Sequence, residues 1–366
     1  MRHPVVIVGA GLAGLSLCIE LVRRGIPVLV LEKETFPRQK VCGEYISQES
    51  ESYLNQLGLE TYSLPHMDTL HLTSLGGREA SVPLPRGGFG LSRWTMDFRL
   101  AEIAQREGAE IRFGVSVRSI EGNVVQTLQG DTIQASFVVG AYGRSNRLSG
   151  IRLPKRSSAF IGVKYHVASN APANTIEMHV FRGGYCGFSK VDGDRYCLCY
   201  LANAAPLKTL GGNIEVFERE HLFRNRHLRE RFSEVTFLGE RVTTSQFHFS
   251  THGGHYQDQL LLGDASGFIP PITGNGMSLA LRSGAYLAPL LAEGWLGRRS
   301  KESLYRAQQA YVANYLRERI RKGVFLQNLL LRQNFVSDAL LFGALRVIPA
   351  VGRHLALSAV GEEIRS

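Results

Sequence analysis

Four consecutive apolar residues, Val5 to Val8, precede a glycine turn; apolar positions then recur at helical spacing from Leu12 to Arg24, and a second apolar run spans Val28 to Leu31. This predicts a short buried strand, a helix and a second strand, one βαβ unit. After Glu32 the pattern is irregular from Thr35 to Tyr45. It returns as a helix near 48–57 that stops at Gly58, and as another over 93–107 that ends in Glu-Gly. Ile111 to Val117 and Phe137 to Gly140 read as strands, with a small hairpin around Val124 to Leu128. Strands alternating with helices point to a parallel sheet.

From about Ser157 to Ser250 the pattern becomes strand after strand. Phe160–His166, Thr175–Phe181, Tyr185–Lys190, Arg195–Leu201 and Arg241–Phe249 all alternate with period two, interrupted by one helix near Ile214 to Phe223. An antiparallel sheet in a separate lobe is expected. Gln259 to Leu262 then resumes the first pattern, followed by helices to the end. The predicted fold class is therefore α/β, a Rossmann-like dinucleotide-binding domain with an inserted antiparallel β-sheet domain and a helical C-terminus. The expected boundaries are 1–75, 95–155 and 255–300 for the first domain, 76–94 and 156–254 for the second, and 301–366 for the helical segment.

The length of 366 residues fits this division, since it exceeds what one compact core usually supports. A net charge of +10 suits nucleic acid, an anionic membrane surface or an anionic cofactor. Basic residues are scattered, apart from Leu316 to Lys322, and no nucleic-acid module interrupts the chain, so nucleic-acid binding is not expected. The five cysteines, Cys18, Cys42, Cys186, Cys197 and Cys199, form no zinc-type pairs and no disulfide framework. No metal site is expected, and a reducing, cytoplasmic setting fits them.

The apolar start is broken by Gly9, Gly11 and Gly14 and followed by Glu20, Arg23 and Arg24, which argues against a signal peptide. No apolar run reaches the roughly 18 residues that cross a bilayer. The segment from Phe335 to Val360 is apolar but broken by Asp338, Arg346, Pro349, Arg353 and His354. It reads first as ordinary packing helices; the alternatives are that it covers a substrate tunnel or, with the basic stretch before it, supports peripheral association with an anionic membrane.

Two motifs carry the chemistry. In the first, Gly9-Ala-Gly11-Leu-Ala13-Gly14 follows a strand and opens a helix, and Glu32 closes the next strand. Gly9 permits the tight turn, Gly11 lets a pyrophosphate approach the backbone, and Gly14 lets helix and strand pack closely. The helix N-terminus then faces the phosphates, and Glu32 can accept ribose hydroxyls while repelling a 2′-phosphate. FAD or NAD is thereby favoured over NADP. The second motif is a strand ending in Gly263-Asp264, followed by Gly274-Asn275-Gly276-Met277 and a helix. Asp264 offers a carboxylate for a ribityl hydroxyl, and the turn offers N–H groups that stabilise negative charge on a reduced flavin.

Together these motifs resemble the flavoprotein superfamily of p-hydroxybenzoate hydroxylase, geranylgeranyl reductases and flavin-dependent halogenases. Lys40-Val-Cys42-Gly43-Glu44, after Glu32-Lys33 and Arg38, looks most like the geranylgeranyl reductase group. Arg93, with Asp97 and Leu100, matches the family helix that supplies an arginine to the cofactor. The resemblance implies a glutathione-reductase-type FAD-binding fold. It also implies a cofactor site built from Gly9, Gly11, Ala13, Gly14, Glu32, Lys33, Arg38, Cys42, Gly43, Arg93, Val117, Gly263, Asp264, Gly274, Asn275, Gly276 and Met277. Two differences stand out: Tyr142 occupies the aspartate position of the family's Asp-Gly segment, here Gly140 to Arg147, and Gly184-Tyr185-Cys186-Gly187-Phe188 matches the reductases' aromatic strand only in part. No counterpart of the halogenases' tryptophan-rich motif is present.

Cys42, Tyr185, Phe188, His166 and His179 are the candidate substrate contacts. Cys197 and Cys199 share one strand face and read as packing, and His248 is a further histidine on an expected strand. The reaction expected first is NAD(P)H- and O2-dependent hydroxylation of a small apolar or aromatic substrate. Its alternative is saturation of a double bond in an isoprenoid or other apolar chain, and the distant one is a non-enzymatic lipid carrier on the same fold. NADPH or NADH is the expected reductant.

Overall fold

The computed structural model describes residues 4–144, 148, 160–245, 247–331, 342–343 and 362–364. Strand β1 (Val5–Val8), helix α1 (Leu12–Arg23) and strand β2 (Val28–Glu32) form the expected βαβ unit. The chain then enters β3 (Tyr45–Ser47), α2 (Glu51–Gln56), β4 (His66–Thr73), β5 (Glu79–Gly90) and α3 (Arg93–Arg106). β6 (Glu110–Phe113), the hairpin strands β7 (Val117–Glu121), β8 (Val124–Thr127) and β9 (Thr132–Gln134), and β10 (Phe137–Gly140) follow.

The second half brings β11 (Phe160–Ala168), β12 (Thr175–Phe181), β13 (Gly184–Lys190) and β14 (Tyr196–Asn203). Helices α4 (Ala204–Thr209), α5 (Ile214–Phe217) and α6 (Arg226–Glu234) precede β15 (Thr236–Phe237) and β16 (Val242–Ser245). Short strands β17 (His255–Tyr256) and β18 (Gln259–Leu261) lead to α7 (Gly276–Trp295), α8 (Lys301–Tyr311) and α9 (Arg317–Leu331).

Six strands build the first sheet in the order β17-β18-β10-β1-β2-β6, parallel except for the β17 edge. Its two faces follow from the alternation within β1. Val5 and Ile7 join the core made with α1, α3 and α7, whereas Val6 and Val8 pack with Val125 and Ala135 of the small sheet β7-β8-β9. With both faces covered, every residue of β1 and β2 is buried, which explains the uninterrupted apolar runs.

The larger sheet runs β15-β11-β14-β13-β12-β4-β5-β3, with β16 paired to β11. One of its faces carries Phe188, Leu198, Tyr200 and Val163 against Phe217, Leu222 and Leu228 from the helical segments beside it. The other face is turned to the first sheet's C-terminal edge. β3 and β4 belong to this sheet, so the chain crosses into it well before residue 75. The parallel pairing of β4 with β12 is an exception to the antiparallel pattern.

The strand expected over Arg241–Phe249 ends at Ser245, and His248 lies beyond it. Arg147 and nearly all of the Phe335–Val360 segment lie outside the described residues. Among the described residues, no helix is long and apolar enough to cross a membrane.

Candidate functional site

A cavity of about 1130 Å³ runs between the C-terminal edge of the parallel sheet and the open face of the large sheet. It exceeds the roughly 300–1,000 Å³ of a single ligand pocket, so it can take a dinucleotide and a second molecule. Every residue of the expected cofactor set lines it except Gly14.

Gly14 instead serves the packing beneath. A Cβ there would lie 2.1 Å from the Gly9 carbonyl oxygen, and Gly9 itself has φ of +109° with Ala141 O where a Cβ would go. Gly11, by contrast, opens on the cavity, with only Lys40 Nζ 4.0 Å from an added Cβ. The N-terminus of α1 thus presents a free concave surface for a diphosphate.

Glu32 is fixed by two main-chain donors, Ala10 N at 2.8 Å and Glu34 N at 3.1 Å, and by Arg38 at 3.4 Å. Around this end stand Lys33, Val117, Leu128 and Tyr142, an apolar slot for an adenine with an acid beside it for the ribose. The Tyr142 hydroxyl donates to Gln259 Oε1 at 3.1 Å, so the residue at the family's aspartate position is tied into the parallel sheet.

Between the two motifs lies a buried charge group. Lys40 Nζ donates to Asp97 Oδ2 at 2.7 Å, and Arg93 grips the same carboxylate through Nε at 2.7 Å and Nη2 at 2.8 Å. Burial alone would raise the Asp97 carboxyl, but the Arg93 and Lys40 charges outweigh it and hold it below its ordinary value. Burial pulls the Lys40 amine below its usual range, an effect that Asp97 only partly offsets. Two cations against one anion leave a net positive charge beside Gly11, which suits a diphosphate.

At the other end Asp264 faces the cavity, its carboxyl raised by burial and partly compensated by Arg144. The turn at Gly274, with φ of +68°, delivers Asn275, Gly276 and Met277 to the start of the 20-residue helix α7. These donors and Asp264 fit the ribityl and ring portions of a flavin. The cavity therefore has complementary groups for each part of FAD.

A second buried group stands behind Cys42 and Gly43. Glu44, with φ of 56° and its side chain fully buried, accepts hydrogen bonds from Lys164 Nζ, from His166 Nε2 at 2.7 Å and from Arg93 N at 2.7 Å. Gln39 bridges the same pair, accepting from Lys164 at 2.8 Å and donating to His166 Nδ1 at 3.1 Å. Burial opposes the Glu44 charge, yet His166 and Lys164 lower its carboxyl below the ordinary range. Sequence reasoning missed Lys164; its signal was a Lys and a His two apart on a strand, on one face, where a buried acid must complete them.

The candidate substrate contacts separate into two groups. Cys42 and Tyr185 line the cavity; the Tyr185 hydroxyl is buried near the Ile272 main chain and meets the geometry of no hydrogen bond. Phe188 borders it, but its ring turns to the opposite face and stacks on Tyr196 at 5.1 Å under Arg231. His179 is also on that face, between Thr73 Oγ1 at 2.8 Å and Glu177 Oε2 at 2.9 Å. Period-two alternation put Phe188 and Tyr185 on opposite sides, and both cannot reach one substrate. His166 faces the right way but is covered by Gln39 and Glu44. Cys197 lies beneath the same loop, donating from its thiol to the Cys42 carbonyl at 3.2 Å. Among the described residues, no group of histidine, cysteine or acidic side chains is arranged to hold a metal.

The sequence matches the family of FAD binding domains over residues 2–316, and the chain belongs to that family. It is an FAD-dependent oxidoreductase of the p-hydroxybenzoate hydroxylase-like superfamily. It is 26% identical over 323 residues to a rifampicin monooxygenase of Streptomyces venezuelae, covering 80% of this chain and 65% of that protein. It is 33% identical over 122 residues to a menaquinone reductase of Mycobacterium tuberculosis, a match to 32% of this chain and 30% of the relative's length. In fold it is similar to the flavin-dependent brominase Bmp2, with a TM-score of 0.78, 19% identity and coverage of 97% of this chain and 94% of that one.

Proposed function

We propose that the protein is an FAD-dependent monooxygenase that takes electrons from NADPH or NADH and hydroxylates an apolar or aromatic substrate. The observation that carries this reading is one continuous cavity in which the residues proposed for the dinucleotide adjoin an apolar recess on the large sheet. Bound FAD supplies the two-electron redox chemistry and the reaction with oxygen.

The chain's own residues bind, orient and exclude water. Glu32, Lys40, Arg93 and Asp264 would hold the cofactor, and the Glu44–Lys164–His166 group fixes the Cys42–Gly43 segment beside it. Burial pushes the Cys42 and Cys199 thiols up, so both stay protonated near neutral pH and serve as small apolar walls rather than nucleophiles. Substrate-dependent oxygen consumption by the FAD-loaded protein with NADPH or NADH supports the reading. Substrate turnover that proceeds only without oxygen overturns it.

A specific pair of observations favours the second reading, reduction of a carbon–carbon double bond. The recess has aliphatic walls, and the Cys42-Gly43-Glu44 segment resembles the reductase group. Anaerobic turnover with FAD loaded would support it.

The setting we propose is cytoplasmic, at the surface of an anionic membrane. Arg317, Arg321, Phe325 and Leu329 follow at intervals of four along α9 and are exposed, with Leu329 also lining the cavity. Salt-sensitive flotation with anionic liposomes is expected, and its absence would remove this part of the proposal.

A further inference from the structure

The recess has a direction. On the cavity face of the large sheet, Cys199 of β14 pairs with Gly187 of β13, Gly187 with Met178 of β12, Met178 with Leu72 of β4, and Leu72 with Ala80 of β5. The neighbouring rung continues Ile176, Leu70 and Val82 across the same strands. Residues at paired positions share a face, so these rungs form a continuous floor. Four inter-strand steps of about 4.8 Å make it about 19 Å long.

Its two ends differ chemically. At Gly187 an added Cβ would meet only the Cys199 carbonyl oxygen, at 3.8 Å, so the floor beside Cys42 is flat and open. Past Met178 the rungs carry no charged or hydrogen-bonding side chain, and Leu326, Leu329 and Leu330 of α9 form the roof. Phe342 closes the far end by packing with Ala80 and Val82. The outward-facing polar residues of β12, Glu177 and His179, are tied to Arg231 and Thr73 on the other side of the sheet.

We infer that the substrate is an amphiphile with a planar head over Gly187 and Cys199 and one long aliphatic tail laid across the sheet toward α9. With the head on the Cys199–Gly187 step, the three remaining steps, about 14 Å, accommodate about 11 carbons of an extended chain, which advances about 1.3 Å per carbon. A flat slot next to the reacting end accepts a ring, while a lane of Leu, Ile, Val and Met side chains with no polar partner favours a flexible apolar chain. The inference rests on the reading of this cavity as the site of the FAD-dependent reaction, and it names what that site selects.

The test uses the FAD-loaded protein without reductant or oxygen and a series of 4-alkylphenols with tails from methyl to octadecyl. Binding is read from perturbation of the flavin absorbance. Affinity is expected to rise about threefold to fourfold per added CH2 and to level off near about 11 carbons. Leu72→Trp should bring the levelling earlier than Val82→Trp, because Leu72 lies one strand nearer the head. FAD content and melting temperature establish that each variant is folded, and the series on the unaltered protein stands without them.

Affinity that ignores tail length, or a plateau unmoved in both folded variants, overturns the tail. Straight-chain alcohols binding as tightly as alkylphenols of equal length overturn the planar head. A protein that takes up no FAD fails the cofactor assignment instead, and tight binding accompanied, in a separate aerobic assay with NADPH or NADH, by no substrate-dependent oxygen consumption fails only the monooxygenase reading.

Discussion

Glu44 and His166, 122 residues apart in the chain, share a 2.7 Å hydrogen bond at the cavity's edge, where Glu44 is a lining residue. The bond joins the cavity-lining Cys42–Glu44 segment to the large sheet, and Lys164 and the Arg93 main chain complete the acid's partners. Removing the carboxylate would leave a buried ammonium with only Gln39 to satisfy it. Glu44→Ala is therefore expected to cost about 3–5 kcal/mol in denaturant unfolding, and Glu44→Gln less, since the amide keeps the shape. Equal stability of both variants and the parent protein would show that the group is not structural.

Two glycines three positions apart, Gly11 and Gly14, should behave oppositely. Gly14→Ala puts a methyl group against main chain and is expected to destabilise the fold by about 2 kcal/mol or more. Gly11→Ala meets no protein backbone and has an ordinary extended conformation, so the fold should survive while FAD affinity falls at least about tenfold. Thermal melts and flavin titration separate the two effects. Unchanged FAD binding in the folded Gly11→Ala protein would contradict a diphosphate at this turn.

The His179 cluster gives the protein a pH dependence unconnected with its chemistry. Burial lowers the His179 imidazole below its ordinary value of 6.5, although Glu177 partly restores it. The unfolded chain then binds a proton that the native state refuses, so stability falls as pH drops below about 6.5 toward the depressed native value. Burial raises the Glu177 carboxyl, but its partners His179 and Arg231 lower it further, so protonation below about 4.5 removes more stability. Melting temperature is expected to decline from pH 6.5 to 5 in the parent protein and to decline less in His179→Gln. Parallel curves would rule out His179 as the source.

The parts of this architecture that read directly from sequence are those where one residue type has few reasons to occur. Gly9, Gly11 and Glu32, in register with two apolar strands, and Gly263-Asp264 far downstream were legible as one proposed cofactor site, and they line the same cavity. Alternation in β13 puts Tyr185 and Phe188 on opposite faces, which the expectation of both as substrate contacts overlooked; which face meets the cavity was not legible, because both faces of this strand are buried. The ion group around Glu44 was illegible for a different reason. Its acid sits on a turn and its bases on a strand, and only the packing of the turn across β11 brings them together. The crossing of β4 into the large sheet was hidden likewise, since a parallel pairing with β12 leaves no local turn signal.

The measurement that tests the central claim most directly is equilibrium titration of FAD into apoprotein, with Glu32→Ala and Asp264→Ala beside the parent chain. The account predicts one FAD per chain and a loss of affinity of at least about tenfold in each folded variant, with the apoprotein melting temperature little changed in Asp264→Ala and lowered in Glu32→Ala, which strands the Ala10 and Glu34 N–H groups. Full-strength FAD binding by both folded variants would contradict it, because the two ends of the cavity would then not be holding the same molecule.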